Sequence, residues 1–164
     1  MSMAEEELHE LSPEELEALR AVFFKEISAG PTEELQLVVH PHLEKLMNEN
    51  PDIMACFLVD SAGMPVDHVT REEKSIFTEE FLVVVSANIW GLFAASERES
   101  IGLNLGHVRQ VIARTSEGFL CITKCGESHA LAAIARPRAR LGVVLRDLGV
   151  YSDLIAKKIS EISQ

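Results

Sequence analysis

The sequence is short of several residue types, and each shortage narrows the range of functions. Aromatic residues make up 5% of its 164 residues, so a core has to be built mainly from leucine, valine, isoleucine and alanine. Three cysteines are too few for a disulfide framework and suit free thiols in a reducing cytoplasm. With 15 basic against 26 acidic residues, the net charge of −11 argues against nucleic acid and anionic membrane surfaces as partners.

Motifs that carry chemistry are also missing. The sequence contains no nucleophile elbow, phosphate-binding loop or dinucleotide fingerprint, and Gly102–Gly106 reads as a turn because it lacks a lysine. Cys121 and Cys125 share one face of a predicted strand but lie about 13 Å apart at the usual strand rise, which is too far to share a zinc ion. His40 and His42 flank a proline and suit a solvated surface. We therefore expect no catalytic residue, no cofactor and no metal site.

Charge divides the chain into two parts. Residues 1–34 hold ten acidic and two basic residues, a net −8 that leaves −3 for the rest of the chain. A capping box that begins at Ser12 predicts an amphipathic helix over 11–30. We therefore assign residues 1–31 to an acidic N-terminal extension and residues 32–164 to one domain. A solvated face explains the acidic extension more simply than a docking segment for a basic partner.

Three helices and five strands are predicted in the domain. A hairpin and a meander would form one five-stranded antiparallel sheet, and its nearly continuous apolar strands require helices on both faces. The expected fold class is α/β (α+β), a three-layer α/β/α sandwich with an N-terminal helical extension. The predicted elements are a helix over 32–50 that Pro41 kinks or splits, strands over 53–59 and 64–69, a loop over 70–76, a helix over 78–97, strands over 107–115, 118–125 and 128–136, and a helix over 139–162.

The stretch Phe81–Ala95 is the most informative part of the sequence. Twelve of its fifteen residues are apolar, and a helix that is apolar all round must be covered all round. A strand at Val83–Val85 is the competing reading, but the lack of a turn signal over about twenty residues favours a helix. One small chain covers only part of such a helix, which predicts a second protein surface. The run is shorter than the roughly 20 residues that span a bilayer, so we expect no membrane insertion.

Two features point to a second copy of the chain as the partner. Asn88 and Gly91 interrupt the apolar helix. A buried polar residue such as Asn88 fixes the register between two packed helices, and a small residue such as Gly91 lets another backbone approach closely. The strand that begins at His107 opens the meander and should be a sheet edge, which is a template for pairing. An isologous homodimer would use both the apolar helix and the sheet edge. The alternative is that the helix packs only on its own sheet. The predicted interface residues are Leu82, Val85, Ser86, Asn88, Ile89, Phe93, Val108, Gln110 and Ile112.

Three segments resemble the Roadblock dynein light-chain family. Cys56–Val66 is similar to the hairpin of that family, with its aspartate and glycine at the turn. Ala87-Asn88 resembles the step from a small residue to asparagine in the family's central helix. Ala139–Val144 resembles the start of its last helix. The resemblance covers about residues 43–162.

The resemblance implies a profilin-like sandwich that dimerises through its central helices and edge strands. It further implies a non-catalytic regulator or scaffold that binds a small Ras-like GTPase, and bacterial gliding-motility members of the family stimulate GTP hydrolysis by their partner. An adaptor of the dynein light-chain type is one alternative. Another is a profilin-like ligand-sensing domain, for which Cys121, Thr123 and His129 are the available pocket residues.

Overall fold

A five-stranded antiparallel sheet occupies the middle of the molecule. The computed structural model describes residues 12–18, 31–71 and 78–163. The strands are Ile53–Asp60 (β1), Pro65–Thr70 (β2), Gln110–Thr115 (β3), Gly118–Cys125 (β4) and His129–Ala135 (β5). Their order is β2-β1-β5-β4-β3 and every adjacent pair is antiparallel. The predicted hairpin and meander therefore join into one sheet along β1 and β5.

Helices cover both faces of this sheet. The helical segments are residues 13–18 (α1), Pro31–Glu49 (α2), Glu79–Gly102 (α3) and Leu141–Ile162 (α4). Side chains of α2 and α4 pack with one face of the strands in a first core. Side chains of α3 pack with the other face in a second core. The predicted α+β fold with three layers is confirmed.

The short helix α1 shows how the N-terminal helix starts. The Ser12 backbone N–H donates to the Glu15 carboxylate at 2.9 Å, and the Glu15 backbone N–H donates to the Ser12 hydroxyl at 3.2 Å. This reciprocal pair is the predicted capping box. The rest of the helix predicted over 11–30, and most of the acidic extension, lie outside the described residues.

Pro41 was predicted to kink or split α2, and the split is wrong, since α2 continues through this residue. Proline lacks the N–H that would bond the carbonyl of Leu37, four residues earlier. Leu37 is 78% exposed, so that side of the helix faces solvent and water can take the place of the missing donor.

Polar contacts tie α2 to α4. Asn50, which is 1% exposed, donates from its side-chain amide to the Asp147 carboxylate at 2.8 Å. The Tyr151 hydroxyl donates to the Glu49 carboxylate. Burial, and then this hydrogen bond to Glu49, raises the pKa of Tyr151 to about 12. The first of these contacts satisfies the buried Asn50 amide, which would otherwise lack a partner.

Arg71, directly after β2, holds the connection from α2 to β1. Its guanidinium donates to the backbone carbonyls of Met47, Asn50 and Ile53, at 2.6 Å, 3.1 Å and 2.9 Å. The last carbonyls of a helix have no partner within the helix, and a cation is favourable at that end. Arg71 therefore acts as a side-chain cap, a role that the predicted polar loop over 70–76 did not suggest.

Candidate protein-interaction surface

Helix α3 supplies the first half of the candidate surface. It begins after Thr78, whose hydroxyl accepts the backbone N–H of Phe81 at 3.2 Å. The helix has 24 residues and ends at Gly102, not at residue 97 as predicted. Good helix formers follow the apolar run, so the helix continues after the apolar pattern has ended.

The inner face of α3 packs on the sheet. Leu82, Ser86, Ile89 and Phe93 repeat at helical spacing and are all buried. Three of them pack in the second core with Phe57, Val59 and other strand residues. These four predicted interface residues are therefore covered by the chain's own sheet. Val85, a fifth, is partly buried at the margin of the same core.

The outer face of α3 is apolar as well. Val84 is 59% exposed and Leu92 is 41% exposed, with the exposed Asn88 between them at the i+4 spacing that places all three on one side. Gly91 is exposed on the same helix, and a Cβ added there would meet no atom within 4 Å. No charged residue occurs from Phe81 to Ser96. The described part of the chain thus leaves this side of the helix exposed.

The hairpin turn positions α3. Asp60 accepts the backbone N–H groups of Ala62 and Met64 at 3.0 Å and 2.9 Å, which closes the turn. Gly63 has a φ of +75°, and a Cβ added to it would lie 3.1 Å from the Cα of Ala87 on α3. The turn therefore needs glycine for its conformation and its space, and α3 needs a small residue at the contact.

The edge strand β3 supplies the second half of the surface. It stands at the end of the sheet and, among the described residues, pairs with β4 alone. It begins at Gln110, so the prediction of a strand from residue 107 is wrong by three residues. His107 instead pairs with Glu97 of α3 at 2.9 Å, after Gly106 has turned the chain with a φ of +82°.

The three predicted interface residues near this edge have different positions. Val108 precedes the strand and is partly buried against the second core. Gln110 donates from its side-chain amide to the Leu145 carbonyl of α4 at 3.1 Å, so it ties β3 to the opposite layer. Ile112 is 45% exposed. Of the three, Ile112 is the most accessible to a partner.

A shallow, open groove of about 520 Å³ lies beside α3. Gly91, Ala94 and Ile101 give it an apolar lining, and charges of both signs line it as well, Arg98 and Lys124 beside Glu97, which pairs with His107. Within the described ranges neither Arg98 nor Lys124 forms an ion pair. An open groove with charged margins suits contact with a protein better than enclosure of a small molecule.

The three cysteines and the pocket candidates Thr123 and His129 belong to the interior. Cys56, Cys121 and Cys125 are free and buried, and burial raises the pKa of Cys56 and Cys125 to about 12. These thiols stay protonated and behave as core residues. Thr123 accepts a hydrogen bond from Gln110 at 3.2 Å. In the part of the chain that is described, no group of three or more His, Cys, Asp or Glu residues is placed to hold a metal ion.

No family model matches the sequence, and no curated protein matches it. Solved structures do match. The Roadblock/LC7 domain from Streptomyces avermitilis is 17% identical, with a TM-score of 0.64 over 73% of this chain and 95% of that chain. The gliding protein MglB from Thermus thermophilus is 19% identical, with a TM-score of 0.66 over 80% of this chain and 93% of that one. A structure described as MglB with a tetrameric arrangement is 17% identical, with a TM-score of 0.65 over 81% and 93%.

The chain has the Roadblock fold. The resemblance seen in the hairpin, the central helix and the start of the last helix is thus confirmed for the fold. In this Roadblock fold the Asp60–Gly63 turn and Ala87 are in direct contact. The spacing of those motif residues therefore has a packing reason.

By length and composition, α3 is able to cross a membrane. The argument that the run Phe81–Ala95 is too short is therefore wrong for the complete helix. In the Roadblock fold, however, the inner face of α3 forms half of the second core. Insertion into a bilayer would uncover that core, and we retain the prediction of no membrane insertion.

Proposed function

We propose that the chain is a cytoplasmic homodimer without an active site of its own, and that it regulates or scaffolds a small Ras-like GTPase. The observation that supports the dimer is the apolar outer face of α3 beside a free sheet edge at β3. The similarity to the MglB fold and the Roadblock-like hairpin motif support the GTPase as partner.

The dimer follows from what the monomer leaves uncovered. Val84 and Leu92 are exposed on a helix side without charge over sixteen residues, and within residues 12–18, 31–71 and 78–163 no second strand pairs with the outer edge of β3. One two-fold axis covers both, because an isologous interface uses the same surface on each copy. An MglB with a tetrameric arrangement shows that a protein of this fold assembles.

Regulation fits the chemistry of the surface better than catalysis does. The described cysteines are buried, and the exposed surface of α3 offers apolar side chains, with its charged residues confined to the two ends of the helix. Such a surface binds and holds a partner protein, and any hydrolysis would take place on the partner.

Light scattering of the full chain at micromolar concentration tests the dimer. The expected mass is twice that of the 18.1 kDa chain. A monomer mass across the whole micromolar range, with the helical circular dichroism intact, would contradict the homodimer.

Capture of a Ras-like GTPase tests the partner. The Ras-like GTPases of the source organism are loaded with GDP or with a non-hydrolysable GTP analogue and passed over the immobilised full chain, and single-turnover GTP hydrolysis is followed with and without it. We expect retention of one GTPase that depends on the bound nucleotide. Retention that ignores the nucleotide, or no retention of any of them, would contradict a regulatory role.

A further inference from the structure

We propose that β2, at the opposite end of the sheet from β3, is a closed strand-addition site. Asp67 and Gln36 hold it closed, because they occupy backbone groups that a further strand would need. Without these two side chains, β2 is expected to accept the β2 strand of another copy of the chain. The site goes beyond the proposed function, since it requires neither a GTPase nor a dimer through β3.

Hydrogen bonding inside the hairpin determines which backbone groups of β2 face outward. The backbone N–H of Arg71 donates to the Met54 carbonyl at 2.9 Å, so this N–H faces β1. In an antiparallel pair the orientation alternates from one residue to the next. The N–H and carbonyl groups of Thr70 and His68 therefore point away from β1, towards the place that an added strand would take.

Two side chains occupy backbone groups along this outer edge. One carboxylate oxygen of Asp67 accepts the His68 backbone N–H at 2.8 Å. Gln36 of α2 donates from its side-chain amide to the Val66 carbonyl at 2.7 Å. Pro65, the first residue of the strand, has no N–H to offer. An incoming strand would therefore find a donor and an acceptor in the middle of β2 already taken.

The Asp67 side chain is held at the edge from α2. Its second carboxylate oxygen lies 2.7 Å from Nδ1 of His40, and the side chain is 11% exposed. A short, largely buried carboxylate with a partner on each oxygen has little freedom to swing away from the edge. The closure of β2 is therefore part of the packing of α2 on the hairpin.

The other edge strand, β3, has no such closure. The Lys124 backbone N–H donates to the Arg109 carbonyl at 3.1 Å, so the groups of Gln110, Ile112 and Arg114 face outward by the same alternation. As far as the structure describes the chain, no side chain hydrogen-bonds to the backbone of these three residues. Natural sheets block edge strands that are not used for pairing, and here only β2 is blocked.

The second copy of β2 is the strand that fits the opened edge. Identical edges pair around a two-fold axis, and each copy then supplies the groups that the other lacks. Asp67 is the only acidic residue from Pro65 to Thr70, and no lysine or arginine lies in that range. In the wild type, two Asp67 carboxylates near one junction would also repel. Removal of Asp67 therefore frees a donor and lifts this repulsion.

Opening the edge by substitution tests the proposal. In the full-length double variant Gln36→Met, Asp67→Ala, methionine keeps the length of glutamine without its donor, and alanine leaves the His68 N–H free. Sedimentation velocity over a dilution series is expected to show assemblies that are whole multiples of the wild-type mass. Asp67→Asn is the matched control, since its oxygen still accepts the His68 N–H, and it should keep the wild-type mass. A folded double variant with the wild-type mass would overturn the proposal.

A further substitution separates strand addition from a loss of stability. His68→Pro, added to the double variant, removes an outward-facing N–H without removing a bond to β1, and proline cannot donate to a new strand. The wild-type mass is expected to return. Assemblies that persist in this triple variant do not form along β2 and would overturn the proposal.

Hydrogen exchange of the wild-type chain, measured by NMR, needs no substitution. The amides of His68 and Thr70 both face outward, but only that of His68 is bonded to a side chain among the contacts described. After correction for intrinsic rates, the His68 amide is expected to exchange at least about tenfold more slowly than that of Thr70. Equal rates would show that the Asp67 carboxylate does not occupy the edge, and the proposal would fail whether or not the chain dimerises.

Discussion

The two helical layers of the sandwich are completed in different ways. In the layer of α2 and α4, polar pairs such as Asn50–Asp147 supplement the apolar core and join the two helices. The layer on the other face consists of α3 alone, held to the sheet mainly by apolar side chains. The two helices of the first layer therefore support each other through polar and apolar contacts, whereas α3 has no second helix beside it among the described residues and leaves an apolar outer side for another surface to cover.

Two leucines show that exposure alone does not reveal this difference. Leu92 on α3 is 41% exposed and Leu154 on α4 is 44% exposed. Leu154 has Asp153, Lys157 and Lys158 nearby in sequence, whereas the nearest charged residues to Leu92 are more than one helical turn away. Val150, one turn before Leu154, is also exposed, but exposed apolar residues among charged neighbours are ordinary for a soluble protein, whereas a long side without charge marks a contact.

The largest effect is expected at the inner face of α3. Ile89 is 4% exposed, so Ile89→Glu places a carboxylate in the second core without a partner. We expect the free energy of unfolding to fall by at least about 4 kcal/mol, measured by urea denaturation. Val84→Glu on the outer face is the control and should leave the helix folded. An Ile89→Glu variant with wild-type stability would mean that α3 does not pack on the sheet by this face.

A smaller loss is expected where the hairpin turn meets α3. Gly63→Ala adds a Cβ at a φ of +75° and 3.1 Å from the Cα of Ala87. We expect a loss of about 2 kcal/mol in the free energy of unfolding. Gly142→Ala, at the start of α4, is the control, since a Cβ there meets nothing within 4 Å and alanine favours a helix. Equal effects of the two substitutions would contradict a special role for the turn.

The outer faces are compared by one matched pair of substitutions. Leu92→Glu puts a charge into the proposed dimer contact, whereas Leu154→Glu puts the same charge on the outer side of α4. We expect Leu92→Glu to weaken dimerisation at least tenfold, about 1.4 kcal/mol, and Leu154→Glu to leave it unchanged. Sedimentation velocity over a dilution series measures both. A dimer that tolerates Leu92→Glu, or that only Leu154→Glu breaks, would place the interface elsewhere.

The sequence predicts the strands well because their period and turn residues are local properties. The turn at Asp60 and Gly63 and the all-apolar helix are evident from the order of the residues alone. What the residue order does not reveal is the side of α3 that faces the sheet, because Val84, Asn88 and Leu92 repeat as regularly as the buried set does. Tertiary packing alone decides between two apolar sides of one helix, so the interface predicted from the sequence included the inner side.

Other misses also depend on contacts that are distant in sequence. Pro41 was expected to kink or split α2, and α2 is not split, because the consequence of a lost helix bond depends on whether water reaches the carbonyl of Leu37. Arg71 was assigned to a loop, and its role as a cap exists only because the end of α2 lies beside the end of β2. Neither fact has a local sequence signal.

The smallest effect is expected in the opposite layer, where His40 links α2 to the hairpin. Its Nδ1 lies 2.7 Å from the Asp67 carboxylate and its Nε2 lies 3.1 Å from the Glu44 carboxylate. The imidazole ring donates hydrogen bonds from both nitrogens at once only when it is doubly protonated. Burial opposes that charge, but the hydrogen bonds and charges of Asp67 and Glu44 outweigh it and raise the pKa of His40 above its ordinary value.

A raised pKa in the folded chain stabilises the protein most below the ordinary histidine pKa of about 6.5, and this contribution disappears as the pH rises through the folded value. His40→Gln should therefore lower the free energy of unfolding more at pH 5.5 than at pH 8.5. The side chain is 45% exposed, so solvent screening keeps the difference below about 1 kcal/mol. Urea denaturation at one fixed protein concentration measures it, with His42→Gln on the same helix as the control. The same loss at both pH values would show that His40 stabilises α2 by packing and that its charge is not required.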